Sequence, residues 1–182
     1  MFITLDYLKE KSACGAGQRY FADHFPEGAE YQAVLDVLAK DNQGGYADWL
    51  MDNVGKTDAV MEINGDLEIE GNIFFAGFIR VSGFLKASLR IKAGSGIKAG
   101  WGIKAGDGIK AGSGIKAGWG IEAGDGIKAG WGIEAGWGIE AGDDYGIHAG
   151  LRIRISMKAQ YAVVIAKELP KNLLLGIFKA KE

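Results

Sequence analysis

Serine, tryptophan and aspartate take turns at one recurring position of this chain. Ser95, Trp101, Asp107, Ser113, Trp119, Asp125, Trp131, Trp137 and Asp143 stand six residues apart. Like residues return after eighteen: Trp101, Trp119 and Trp137 form one series, and Asp107, Asp125 and Asp143 another. An exposed column of indoles is binding chemistry, because large rigid aromatic rings dominate interaction hot spots. Mutual stacking, or cover from the C-terminal segment, is the plain alternative. A column of carboxylates is a candidate for sharing Ca²⁺, but a good site gathers six to eight oxygens. One carboxylate per turn falls short of that, and no metal or other cofactor is expected.

The charged residues form columns of their own. Lys92, Lys110 and Lys128, followed by His148, make a face that repels itself and would welcome an anion; a merely solvated face is the alternative. Glu68, Lys86, Lys104, Glu122 and Glu140 change sign along their column. Trp131 stands on the edge neighbouring the Trp101, Trp119 and Trp137 ladder, and the distal acids Glu122, Glu134, Glu140, Asp125, Asp143 and Asp144 make an acidic rod end that could imitate nucleic-acid phosphates for a basic host protein. Catalytic chemistry has little to work with. His24 and His148 lack ligand spacing, and Cys14 reads as a buried thiol without a base. Gly55-Lys56-Thr57 resembles the end of a phosphate loop, but Leu50 stands where its first glycine belongs.

The element that must position these columns is a hexad, Ile-Lys/Glu-Ala-Gly-x-Gly, repeated nine times from Ile91 to Asp144. Six is no helical period, and two glycines per unit would each cost roughly 1 kcal/mol in a helix. Ile-Lys-Ala reads as a short strand with Ile and Ala facing inward and the charge outward. Gly-x-Gly reads as a bend, with glycine supplying positive φ. Three hexads make one register of eighteen residues, which predicts a three-sided parallel β-solenoid with coils ~4.8 Å apart. Hexads continue backward in phase through Met61, Leu67, Ile73, Ile79 and Leu85, and forward to Ile147 and Ile153 beyond an inserted Asp144-Tyr145. In the backward hexads the second position, Glu62, Glu68, Phe74, Arg80 and Lys86, is charged except at Phe74. No single repeat buries enough to fold alone, so stacking must supply the stability.

Residues 1–56 lack hexads and read as a small helical head of three or four helices. Thr4 caps a helix through Lys11, Ser12 caps the next to Phe25, and further helices span Ala29–Lys40 and Tyr46–Val54. The head is too small for a confident independent core and should pack on the first coils, where Phe74, Phe78 and Phe84 need cover. Residues 57–158 form the solenoid. Residues 159–182 hold strands near Tyr161–Ala166 and Leu173–Phe178, read as a hairpin that caps the solenoid or pairs with a second subunit as a homodimer. The fold class is therefore mainly β, with a helical head. A net charge of −2 argues against direct nucleic-acid binding, and the single cysteine fits a reducing compartment. No membrane span and no signal peptide are read, which gives a cytoplasmic expectation.

Three resemblances add to this. The hexads are similar to those of left-handed hexapeptide-repeat acyltransferases, although Lys after the aliphatic residue departs from that motif and no transferase histidine carries over. The flank MEINGDLEIEGNIFFAGFIRVSGFLKASLRIKAG, about residues 61–100, resembles the bactofilins, which implies a self-assembling scaffold. The head ITLDYLKEKSACGAGQRYFADHFPEG resembles a short leader of phage and prophage accessory proteins. That resemblance implies a phage-encoded inhibitor that occludes a host defence complex such as CRISPR, acting in the host cytoplasm without chemistry. The leading expectation is thus a non-catalytic binding protein for a host protein or protein–nucleic-acid complex. The alternatives are a bactofilin-like polymer and an acyltransferase-like enzyme.

Overall fold

A computed structural model describes residues 1–142, 146–151 and 158–181. The chain begins with β1 (Phe2–Ile3), which pairs antiparallel with β2 (Ala29–Glu30). Between and after them lie α1 (Leu5–Glu10), α2 (Gly15–His24), α3 (Tyr31–Lys40) and α4 (Gly44–Val54). Thr4 caps α1 as its sequence suggests, its side chain accepting from the Tyr7 N–H at 3.2 Å. Ser12 does not cap α2. It sits at φ 59° after α1, and Cys14 takes the cap instead, its Sγ accepting from the Gly17 N–H at 3.3 Å. Cys14 is consequently exposed, where burial was expected. Ile3, Leu8, Phe21, Tyr31, Leu35 and Leu50 fill the head's core.

From Val60 the chain winds through three parallel sheets, one for each side of the solenoid. The first face stacks seven strands, starting with Val60–Ile63, Phe78–Val81 and Ile97–Ala99. The second stacks five, from Leu67–Ile69 to Ile139–Ala141, and the third stacks six, from Ile73–Phe75 to Leu173–Leu175. Register advances by eighteen residues per coil throughout the repeat: Ile103 pairs with Ile121, Ile109 with Ile127, Ile115 with Ile133. The isoleucines and alanines of the hexads line one continuous interior, with Ile91, Ile109 and Ile127 fully buried.

The repeat's glycines are needed for a reason other than positive φ. None from Gly94 to Gly142 adopts it. The first glycine of a bend instead lies flat against the coil before it, as at Gly94, Gly118 and Gly142. A Cβ on Gly100, Gly106, Gly118, Gly124 or Gly136 would overlap a carbonyl oxygen eighteen residues earlier. The second glycine is less confined: a Cβ on Gly120 would stand 3.6 Å from the Gly138 oxygen, and one on Gly138 would meet open space.

The C-terminal strands form no hairpin. Val163–Ala166 pairs parallel with Ile133–Ala135, Ile177–Ala180 pairs parallel with Val163–Ala166, and Leu173–Leu175 pairs parallel with Ile147–His148. Val164 and Ala166 point inward as Ile and Ala do in a hexad, so they extend the first face rather than fold back on themselves. Asn172 closes the shortest of the solenoid's three sheets, its Nδ2 donating to the Ala141 and Gly142 carbonyls at 2.7 and 2.8 Å.

The head docks against the third face. Phe74 and Ala76 join the head's core, and the Gln32 side chain donates to the Phe74 carbonyl and accepts from the Ala76 N–H. This covers the one apolar second position, Phe74. Phe78 and Phe84 receive no such cover from the head: Phe84 lies under the tryptophan column and Phe78 under Arg80.

Candidate functional site

Among the described residues, the variable corner residue of a hexad donates its backbone N–H to the carbonyl of the equivalent residue one coil before. Trp119 donates to the Trp101 carbonyl at 2.9 Å, Trp137 to Trp119 at 2.9 Å, and Asp125 to Asp107 at 2.9 Å. Like residues therefore stack on like, and their side chains leave the ladder outward. Trp101, Trp119, Trp131 and Trp137 are 49%, 54%, 51% and 62% exposed. The rings of Trp101 and Trp119 stack at 5.5 Å with 9° between planes. Phe84 meets both edge-on, at 5.1 and 6.0 Å. Trp137 takes a cation instead, with Lys167 Nζ 3.9 Å from its ring centre. Trp131, on the serine edge, leans on Tyr161 at 5.5 Å. Stacking and partial cover by the C-terminal segment both occur, yet about half of every indole remains open to a partner.

The acids are more engaged than their sequence suggests. Lys104 holds Glu122 at 2.7 Å. Lys116 and Lys181 hold Glu134 at 2.9 and 3.3 Å, and these hydrogen bonds, Lys116 foremost, keep its carboxyl below the usual range. Glu140 and Asp125 have no ion-pair partner among the described residues. Asp143 and Asp144, with the inserted Tyr145, lie outside the described residues. Arg90 reaches Asp107 at 3.6 Å, so the aspartate column is partly neutralised. Among the described residues no group of three or more His, Cys, Asp or Glu side chains gathers as a metal site.

The lysine column departs most from expectation. Lys92 does not face solvent; it is 5% exposed beneath the head and donates to the Asp48 carboxylate. Asp52 lies 3.9 Å from Lys92 and 3.5 Å from Lys110. The anions this column attracts first are thus the head's own. Lys128 is half-buried and without an ion pair among the described residues. His148 follows it in register; burial, and then the charge of Lys128, lower its pKa.

Two features had no clear sequence signal. The head carries an open apolar hollow of about 320 Å³, lined by Leu8, Ala13, Phe21, Val34, Leu38 and Trp49, with Cys14 at its wall. The Tyr20 hydroxyl donates to Asp41 at 2.6 Å while Tyr20 stacks on His24, which is itself 3.3 Å from Asp41. Burial and that hydrogen bond push the Tyr20 hydroxyl well above its ordinary pKa, so it stays protonated and ties α2 to the end of α3. Gly55-Lys56-Thr57 is the exit from α4, not a phosphate loop: Gly55 caps the helix at φ 89°, and the Thr57 N–H donates to the Ala76 carbonyl.

No helix among the described residues is long and apolar enough to cross a membrane. No curated protein and no solved structure matches the chain. Residues 1–57, which span the helical head, match the family model described as the YdhT N-terminal domain.

Proposed function

We propose that this is a non-catalytic binding protein whose aromatic edge seats a protein partner. The observation that carries the reading is the set of four half-exposed indoles on neighbouring corners of a rigid coil stack. The solenoid holds them at fixed spacing, so little ordering entropy opposes binding. Trp101, Trp119 and Trp137 supply the contact, with Trp131 on the adjoining edge. Glu140 and Asp125 are the acids left to meet a basic partner; Glu122 and Glu134 already hold lysines. The leader's resemblance to phage accessory proteins supports a narrower version, in which the partner is a host defence complex such as CRISPR, occluded in the cytoplasm. The test compares what co-purifies from bacterial lysate with the wild type and with the Trp101→Ala/Trp119→Ala/Trp137→Ala variant. A stoichiometric complex retained by the first and lost by the second is expected. Equal recovery with both would remove the aromatic edge from the function.

A second reading, a self-assembling scaffold, is favoured by the open terminal strands. Ile177–Ala180 ends the first sheet and Leu173–Leu175 the third, and Leu174 and Ile177 are exposed there. Filaments or dimers that grow with concentration would support it; a monomer at high concentration in sedimentation would exclude it.

A further inference from the structure

Cations outnumber anions in the cleft between the head and the third face. Lys56, just beyond α4, forms the head's wall: a methyl group on Gly94 would stand 3.2 Å from its Cα. Lys110 and Lys128 rise on the solenoid's wall at paired register positions. Lysines stacked one coil apart, ~4.8 Å, repel each other. The carboxylate lining the cleft is Asp52, and it is shared between Lys110 and the buried Lys92, whose closest partner is Asp48. Neither Lys56 nor Lys128 has an ion pair among the described residues. Asp125 lies on the far flank of Lys110 and Lys128 and pairs with neither. His148, next in the column, offers no negative charge.

The cleft holds about 150 Å³. Sites that enclose a whole small molecule run to roughly 300–1,000 Å³. The space therefore suits one compact group. Lysines on both walls, with Lys56 and Lys128 free of ion pairs among the described residues, suit a multiply charged oxyanion, for which lysine serves as a flexible point charge.

We propose that this cleft binds one phosphate-type dianion between Lys56 of the head and Lys110 and Lys128 of the solenoid. The anion neutralises the in-register pair and ties the two parts of the chain together. Because it binds only where both walls are present, it stabilises the docked head. This site is on a different face from the aromatic edge, so its test stands apart from the partner-binding reading.

The experiment titrates the full chain with inorganic phosphate near neutral pH, at constant ionic strength made up with chloride. It follows the backbone amide resonances of Gly94 and Gly112 and the melting temperature. A saturable shift and a rising Tm are expected. Lys56→Gln/Lys128→Gln should weaken binding by roughly tenfold or more, as two charge-assisted contacts are lost. Lys98→Gln, an exposed position on the first face, should leave it unchanged, and Lys128→Arg, which keeps the positive charge, should retain the binding that Lys128→Gln loses. Adenosine 5′-monophosphate is titrated alongside: tighter binding than phosphate identifies a phosphomonoester as ligand, and equal binding identifies the free ion. Shifts that rise linearly without saturation, or wild-type affinity in the folded double variant, would overturn the proposal.

Discussion

Lys92 donates to the carboxylate of Asp48 across the junction between head and solenoid, and it does so while almost wholly buried. A repeat position that elsewhere points to water is here turned into a fastening. Burial, first, and the nearby charge of Lys110 together lower the Lys92 pKa more than Asp48 and Asp52 raise it. The junction therefore carries an unfavourable desolvation that the ion pair offsets only in part.

Replacing Asp48 by Ala leaves that ammonium buried with the backbone carbonyl of residue 48 and the more distant Asp52 carboxylate. We expect a loss of about 1–3 kcal/mol in denaturant unfolding, below the 3–5 of a fully enclosed pair because Asp48 is half-exposed. Lys92→Met should stay within about 1 kcal/mol of wild type. The pH sign follows from the lowered pKa. Between the folded pKa of Lys92 and 10.5, the unfolded chain holds the proton more tightly, so this group's contribution to stability rises with pH across that window. Lys92→Met should abolish the rise; an unchanged alkaline profile would show that Lys92 is not desolvated.

Gly118 and Gly138 each flank a tryptophan of the column, Gly118 before Trp119 and Gly138 after Trp137, and have opposite surroundings in space. Gly118→Ala forces a methyl group into the Gly100 carbonyl, whereas Gly138→Ala points one into solvent. The first should cost about 1–3 kcal/mol, as overpacking does, and the second under about 0.5 kcal/mol. Urea midpoints of the two variants measure the difference, and equal midpoints would contradict the close approach between coils.

Trp119 sits between stacking and edge-on neighbours, Trp101 and Phe84. Trp119→Ala should cost about 0.5–1.5 kcal/mol through those lost contacts and remove the near-ultraviolet circular dichroism of the coupled indole pair. Trp131→Ala should leave that coupled signal in place. Loss of the signal in both variants would mean that it arises elsewhere.

Glu134 is held ionised by Lys116 first and then by Lys181. A carboxyl with a depressed folded pKa stabilises the fold fully above its unfolded value of 4.5, and the contribution fades as pH falls through the lower folded value. Glu134→Gln should lower stability at neutral pH and flatten the decline below pH 4.5. An acid decline as steep as wild type would remove Glu134 from the linkage.

Much of this was legible without coordinates because the repeat obeys one rule many times over. The period of six, the return of like corners after eighteen, and the inward Ile and Ala are all local consequences of a strand that alternates and then bends. The exposure of Trp101, Trp119 and Trp137 follows from the same rule, since Asp107 and Asp125 at equivalent corners have no place in an apolar interior. Thr4 was readable as a cap because its hydroxyl acts within three residues.

What the sequence left open depended on contacts between distant segments. Lys92, Lys110 and Lys128 share the same Ile-Lys-Ala-Gly context, and only the docked α4 separates the buried one from the others. The C-terminal strands alternate as a hairpin would, but the unpaired edge of Ile133–Ala135 offered Val163–Ala166 a parallel partner already in register. The repeat's glycines can bend with either sign of φ, and the carbonyl of the preceding coil is what excludes a Cβ. Sequence periodicity thus determined the coil, because period and alternation are properties of neighbouring residues. Which side the head covers, which charges it captures and how the last strands pair were decided only in the tertiary structure, where burial and hydrogen bonding join residues far apart in the chain.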